Sequence, residues 1–94
     1  MAKNRKTTLI VDGDMFTGKE RAHQLLREAL RFPAYYGNNL DALYDCLTEK
    51  NDVRIEIYHT AQIRRQLGFY GNQMIRVFKE AAEEASGLTV RFLD

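Results

Sequence analysis

Three short apolar runs, set far apart, limit what this chain can fold into. They are "TTLIVDGD" (Thr7 to Asp14), "VRIEIY" (Val53 to Tyr58) and "LTVRFL" (Leu88 to Leu93). Leu9, Ile10 and Val11 stand in succession, the pattern of a buried strand, and Asp12-Gly13-Asp14 stops it. The second run is β-branched and partly alternating, which also reads as a strand. Helical patterns fill the intervals, two in each. The resulting order, β-α-α-β-α-α-β, predicts an α/β fold: a three-stranded parallel sheet packed with four helices that cover the strands. Ninety-four residues hold one core, so the chain reads as a single domain over 1–94.

The helices announce themselves by their ends and apolar faces. Thr17, with Glu20 three residues on, has capping-box spacing. The helix after it, about Gly18 to Arg31, would bury Ala22, Leu25, Leu26, Ala29 and Leu30, and Pro33 would end it. Gly37 and Asn38 form a turn, and Asn39 caps a second helix reaching about Thr48. Thr60 to Gln66 is a short third helix. Asn72 is placed as the cap of a fourth, Gln73 to about Ala85, with Met74, Ile75, Phe78, Ala81, Ala82 and Ala85 inward and Ser86-Gly87 as its stop. "YYGNNL" at Tyr35 and "FYGNQM" at Phe69 share a pattern. It reads as one loop-to-helix device used twice, glycine for a positive-φ turn and asparagine for the cap.

Composition narrows the function classes. One cysteine, Cys46, excludes an internal disulfide framework and a multi-cysteine zinc site, and fits a reducing, cytoplasmic setting. Its apolar context, "ALYDCL", reads as a buried, inert thiol. No apolar run is long enough for a membrane span, and "MAKNRKTT" lacks the apolar stretch of a secretory signal. His23 and His59 have no cysteine or second histidine at metal-ligand spacing, so they read as ordinary helix-face and loop residues. "FTGKE" fails as a phosphate loop, because Glu20 stands where a magnesium-binding hydroxyl is needed. No cofactor and no metal is expected.

The charge is uneven. The formal net charge is +1, yet Asp41 to Asp52 holds Asp41, Asp45, Glu49 and Asp52 against Lys50 alone, a net of −3. Lys3, Arg5 and Lys6 make the first six residues basic, and Arg54 to Arg65 is basic too. The acidic cluster would repel phosphate, so direct nucleic-acid binding is not expected there. At about 100° per residue, Leu43 and Leu47 fall within about 60° of Leu40 and form a buried stripe. Asp41, Asp45 and Thr48 cluster on the other side, and Tyr44 lies at its edge. The plainer reading is a solvated helix face. The sharper one is a docking surface for something basic, since interface centres favour tyrosine beside fixed charge. As a catalytic carboxylate pair, Asp41 and Asp45 would need a pocket that separates their pKa values.

The stretch "YYGNNLDALYDCLT" (Tyr35 to Thr48) resembles the signature of the barstar family of intracellular ribonuclease inhibitors, nearly position for position. "LIVDGD" and "VFKEAAEE…LTVRF" extend the likeness more weakly. The resemblance implies the same sheet with four helices. It implies a protein that is not an enzyme and that plugs the active site of a basic, secreted or toxin-type, guanyl-specific ribonuclease. The residue matching Asp45 would take the place of an RNA phosphate, facing the enzyme's arginines and catalytic histidine. Asp41 would support it, Tyr35 would pack on the catalytic edge, and Glu80 would add an ion pair. Asn39, Tyr44 and Thr48 complete the expected partner-binding set, and the free protein is expected to be a monomer. The alternative is a barstar-fold interaction module for a basic partner that is not a nuclease. Tyr44 stands where the family prototype has tryptophan, and Glu49-Lys50 replaces a Gly-Trp pair. Lys50 beside the acidic patch is a candidate for selecting a different partner.

Overall fold

The structure, a computed structural model, describes residues 6–94. Lys3 and Arg5 of the basic start lie outside the described residues. The elements are β1 (Thr7–Asp12), a single 3-10 turn (Gly13–Met15), α1 (Lys19–Ala29), α2 (Leu40–Thr48), β2 (Val53–Tyr58), α3 (Thr60–Leu67), α4 (Phe69–Glu84) and β3 (Leu88–Phe92). The three strands form one parallel sheet in the order β1-β2-β3, with Leu9 opposite Ile55 and Ile55 opposite Val90. The predicted sheet, helix count and element order all hold. Among the described residues no helix is long and apolar enough to cross a membrane.

The helices cover the sheet on one face only, which corrects the reading of Leu9-Ile10-Val11 as a wholly buried run. Leu9, Val11, Val53, Ile55, Ile57 and Leu88 are buried, whereas the alternate residues Thr8, Ile10, Arg54 and Arg91 are exposed. Ile10, at the centre of the apolar run, is 58% exposed. The cause is topological. Both crossovers advance the same way along the sheet, and right-handed connections of that kind pass over the same face. Parallel sheets are ordinarily covered on both sides, so three apolar letters in a row were a poor guide to two-sided burial.

The helices pack a core of Phe16, Leu26, Leu30, Leu43, Leu47, Ile55, Ile57, Ile63, Met74 and Phe78, all below 2% exposed. Several helix ends differ from the sequence reading. The cap of α1 is Gly18, not Thr17, and it makes no side-chain hydrogen bond. Helix α1 stops at Ala29, four residues before Pro33, because Arg31 turns left-handed at φ 59° just past the C-cap Leu30. Helix α4 begins at Phe69, with Gly68 (φ +59°) before it, so Asn72 lies inside the helix and caps nothing. Gly71 is there for a different reason from a turn. A Cβ at that position would collide with the Ile63 carbonyl, so glycine lets α3 and α4 meet. In the first copy of the motif the positive φ belongs to Asn38, at 56°, rather than to Gly37. The two copies are therefore not one device repeated.

Candidate functional site: an acidic cleft between two helices

Helix α2 is fixed at its start by its own cap. Asn39 Oδ1 accepts from the Ala42 N–H at 2.7 Å, and its amide donates to the Gly37 carbonyl at 3.2 Å. The predicted cap holds, and it ties the turn to the helix. Leu43, Cys46 and Leu47 bury the inner face. Burial pushes the Cys46 thiol up, with Glu49 and Asp45 adding to the effect, so the thiol stays protonated and inert as expected.

The outer face of α2 meets α4 at an open cleft of about 490 Å³ lined by Leu40, Asp41, Tyr44, Asp45, Val77 and Glu80. Four of the seven expected partner-binding residues thus share one site: Asp41, Tyr44, Asp45 and Glu80. Leu40, Val77 and the Tyr44 ring give it apolar walls. The carboxylates stand exposed around them. Among the described residues, none of the three carboxylates makes an ion pair or accepts a side-chain hydrogen bond. Asp41 lies in the first turn, where the helix dipole favours negative charge. Asp45, one turn on, gains little from it and repels Asp41, a cost of about 0.2–0.5 kcal/mol for such a pair.

The other three residues stand apart from the cleft. Tyr35 projects from the loop before α2 and is 81% exposed. Asn39 spends its side chain on the cap. Thr48 is half-buried, and its hydroxyl donates to the carbonyls of Tyr44 and Asp45 at 3.0 and 3.1 Å. Lys50, the candidate selector beside the patch, is turned inward instead. Its ammonium donates to the Leu30 carbonyl at 2.6 Å and lies over the Phe32 ring, 5.4 Å from the centroid. It caps the end of α1, and partial burial holds its pKa down.

Two features escaped the sequence reading. His23 is not a helix-face residue: it is 1% exposed, with both ring nitrogens on tyrosine hydroxyls. Asp12, Asp14 and His59 also meet at the surface, their ligand-type atoms within 4.8 Å of one another. They are the described residues whose donors could hold a metal ion, but their geometry is that of an ion pair. His59 Nδ1 lies 2.8 Å from Asp12 Oδ1 and 3.4 Å from Asp14 Oδ2, and Asp12 Oδ1 also accepts from the Asp14 N–H. The parallel register, Asp12 opposite Tyr58, is what brings His59 beside Asp12.

A three-stranded parallel sheet with four helices, in which a Tyr-Tyr-Gly loop leads into an acidic helix, is the barstar type of α/β domain. The sequence profile of that family, described as "Barstar (barnase inhibitor)", matches residues 6–93, and the chain belongs to the barstar family. It is also 40% identical over 78 residues to a Bacillus subtilis (strain 168) protein named "Putative ribonuclease inhibitor YrdF", covering 81% of this chain and 86% of that one.

Proposed function

We propose that this protein is a non-catalytic inhibitor of a guanyl-type ribonuclease. It seats α2 in the enzyme's active site, with Asp45 in place of an RNA phosphate. The observation that carries this reading is the cleft itself: three carboxylates without partners among the described residues, around an apolar, tyrosine-edged wall. Membership of the barstar family and the name of the Bacillus subtilis relative agree with it.

The physics is that of a site prepared for cations. Arginines entering the cleft would neutralise the Asp41–Asp45 repulsion and form charge-assisted hydrogen bonds. Tyr44 and the exposed Tyr35 would add rigid aromatic contact at low entropic cost. With a formal net charge of +1, long-range steering is weak, and attraction is confined to within about a Debye length of the patch, roughly 8 Å at physiological salt. The partner is a basic enzyme of the secreted or toxin type, met in the cytoplasm by a monomeric inhibitor. The open cleft does not suit an enzyme, because both aspartates face water on the same helix and share one environment.

The test is a steady-state assay of RNA cleavage by a guanyl-type ribonuclease with the protein added in increasing amounts. Stoichiometric loss of cleavage is the expected result. Undiminished cleavage beside tight capture of a basic protein without nuclease activity would replace the reading with that of an interaction module.

A further inference from the structure

His23 joins three elements at one buried point. It lies on α1, its Nδ1 is 2.6 Å from the Tyr36 hydroxyl, and its Nε2 is 2.6 Å from the Tyr70 hydroxyl. Tyr36 is buried and precedes α2 by a single turn of chain, and its neighbour is the exposed Tyr35. Tyr70 opens α4, and Val77, two helical turns on, lines the acidic cleft with Glu80. Tyr36 and Tyr70 are the matching tyrosines of the two "aromatic-Tyr-Gly-Asn" stretches. Their shared structural meaning is this convergence on one imidazole. Through it, the loop that presents Tyr35 and α2 is held in register with the helix that supplies the opposite wall.

A neutral imidazole suits this place, and an imidazolium does not. The neutral ring has one donor and one acceptor, and it can serve one hydroxyl with each. Protonation would turn both nitrogens into donors and remove the acceptor for one tyrosine O–H. Among the described residues no carboxylate pairs with the ring; Glu20 and Arg27, each about one turn away on α1, are exposed and half-buried respectively. Tyr36 faces it from the loop and Tyr70 from α4. Cys46 of α2 lies near Tyr36, and the Lys19 ammonium of α1 sits 4.5 Å from the Tyr70 ring centroid. Among the described residues His23 makes no ion pair. A buried, unpaired charge is costly, and one tyrosine O–H is left without its acceptor, so protonation strains the contacts that hold the ring.

We infer that His23 is a positioning residue for the partner-binding surface: as the neutral imidazole it pins Tyr36 and Tyr70, setting the Tyr35 loop against the α4 wall, and on protonation it loosens both. The inference rests on the inhibitor reading, and predicts a grip on the ribonuclease that weakens in acid for a reason internal to the inhibitor.

The experiment compares inhibition constants of the parent, His23→Gln and Tyr70→Phe against one guanyl-type ribonuclease at pH 7.5 and pH 5.5. The nuclease's own titration is common to all three and cancels in the comparison. At pH 7.5 each variant should bind roughly two- to tenfold more weakly, the span of one lost net hydrogen bond. Toward pH 5.5 the parent should lose affinity that His23→Gln, whose side chain does not titrate, retains. Parallel pH profiles of parent and His23→Gln would overturn the inference. If His23→Gln fails to fold, Tyr70→Phe, which keeps the ring volume, still tests the positioning role at pH 7.5: inhibition there equal to the parent's would overturn it. A second readout uses the free protein and is independent of any nuclease: imidazole ¹⁵N and backbone amide shifts followed by NMR through the same range. The amides of Tyr35 to Asn39 should move with the His23 midpoint, and amides that stay still would overturn the inference even where the parent inhibits. If the parent inhibits no ribonuclease, the proposed function fails while this NMR result still decides the role of His23 in setting the loop.

Discussion

The molecule has two carboxylate clusters at its surface, and they are built in opposite ways. At the carboxyl ends of β1 and β2, Asp12 and Asp14 meet His59. The Asp12 carboxylate is held below its ordinary value chiefly by the His59 hydrogen bond and then by the Asp14 amide. His59 is in turn raised by Asp12. In the cleft between α2 and α4, Asp41, Asp45 and Glu80 have no such partners among the described residues. The first cluster closes its own charges and ties two strand ends together. The second leaves its charges open, which costs the free protein a little. An acidic patch is thus informative for binding to the extent that the fold leaves it unpaired.

The largest expected effect tests that contrast directly. Asp45→Ala should weaken inhibition of the cognate nuclease by about 30-fold or more, the loss of roughly 2 kcal/mol that defines an interface hot spot. Asp12→Ala should leave the inhibition constant unchanged. Equal losses from the two would erase the distinction between open and closed clusters. Next comes Asn39→Ala. Losing the cap should lower unfolding free energy by about 1 kcal/mol. In urea titration this would appear as a shifted midpoint, with weaker inhibition following because α2 is presented less firmly. A smaller change, of opposite sign, is expected in the free protein for Asp45→Ala. Relief of repulsion from Asp41 should offset the truncation by a few tenths of a kcal/mol, so its unfolding midpoint should equal or slightly exceed the parent's. A clear fall would mean that Asp45 has an internal role.

The smallest effect belongs to the closed cluster and has a defined pH window. His59 is raised above its ordinary 6.5, so its contribution is complete below that value and is lost as pH rises through the folded-state value. Asp12 is lowered below 3.8, so its contribution is complete above that value and is lost as pH falls through the folded-state value. The pair therefore supports folding most between about 3.8 and 6.5. Both groups are exposed, and the gain should be slight. His23 works in the other direction. Burial lowers its pKa below 6.5, so its neutral form supports folding fully above that value, and stability falls as the unfolded chain takes up the proton below it. Urea midpoints of parent and His59→Asn at pH 5.5 and 7.5 should differ more at the lower pH, and equal differences would remove the pair from the account.

Much of this was readable in advance, and the failures share a cause. The β2 run, the Asn39 cap, the extent of α2 and the buried stripe of α4 follow from local periodicity and capping chemistry, which act within one or two turns. The start of α4 was misplaced because Gly71 looks like a turn glycine, while its actual constraint is the carbonyl of Ile63 in another helix. Lys50 looked like a free charge beside the acidic patch, until the end of α1 came within reach of its ammonium. His23 read as an ordinary helix-face residue because its two partners lie 13 and 47 residues away.

The sequence by itself determined the three strands, the four helices, the acid-bearing face of α2 and the resemblance that names the family. These depend on side-chain period and on near neighbours. Only the tertiary structure decided which charges are closed and which are open, that one face of the sheet is bare, and that Glu80 stands across a cleft from Asp45. Such pairings depend on strand register and helix crossing, which bring distant residues together at distances no local pattern encodes.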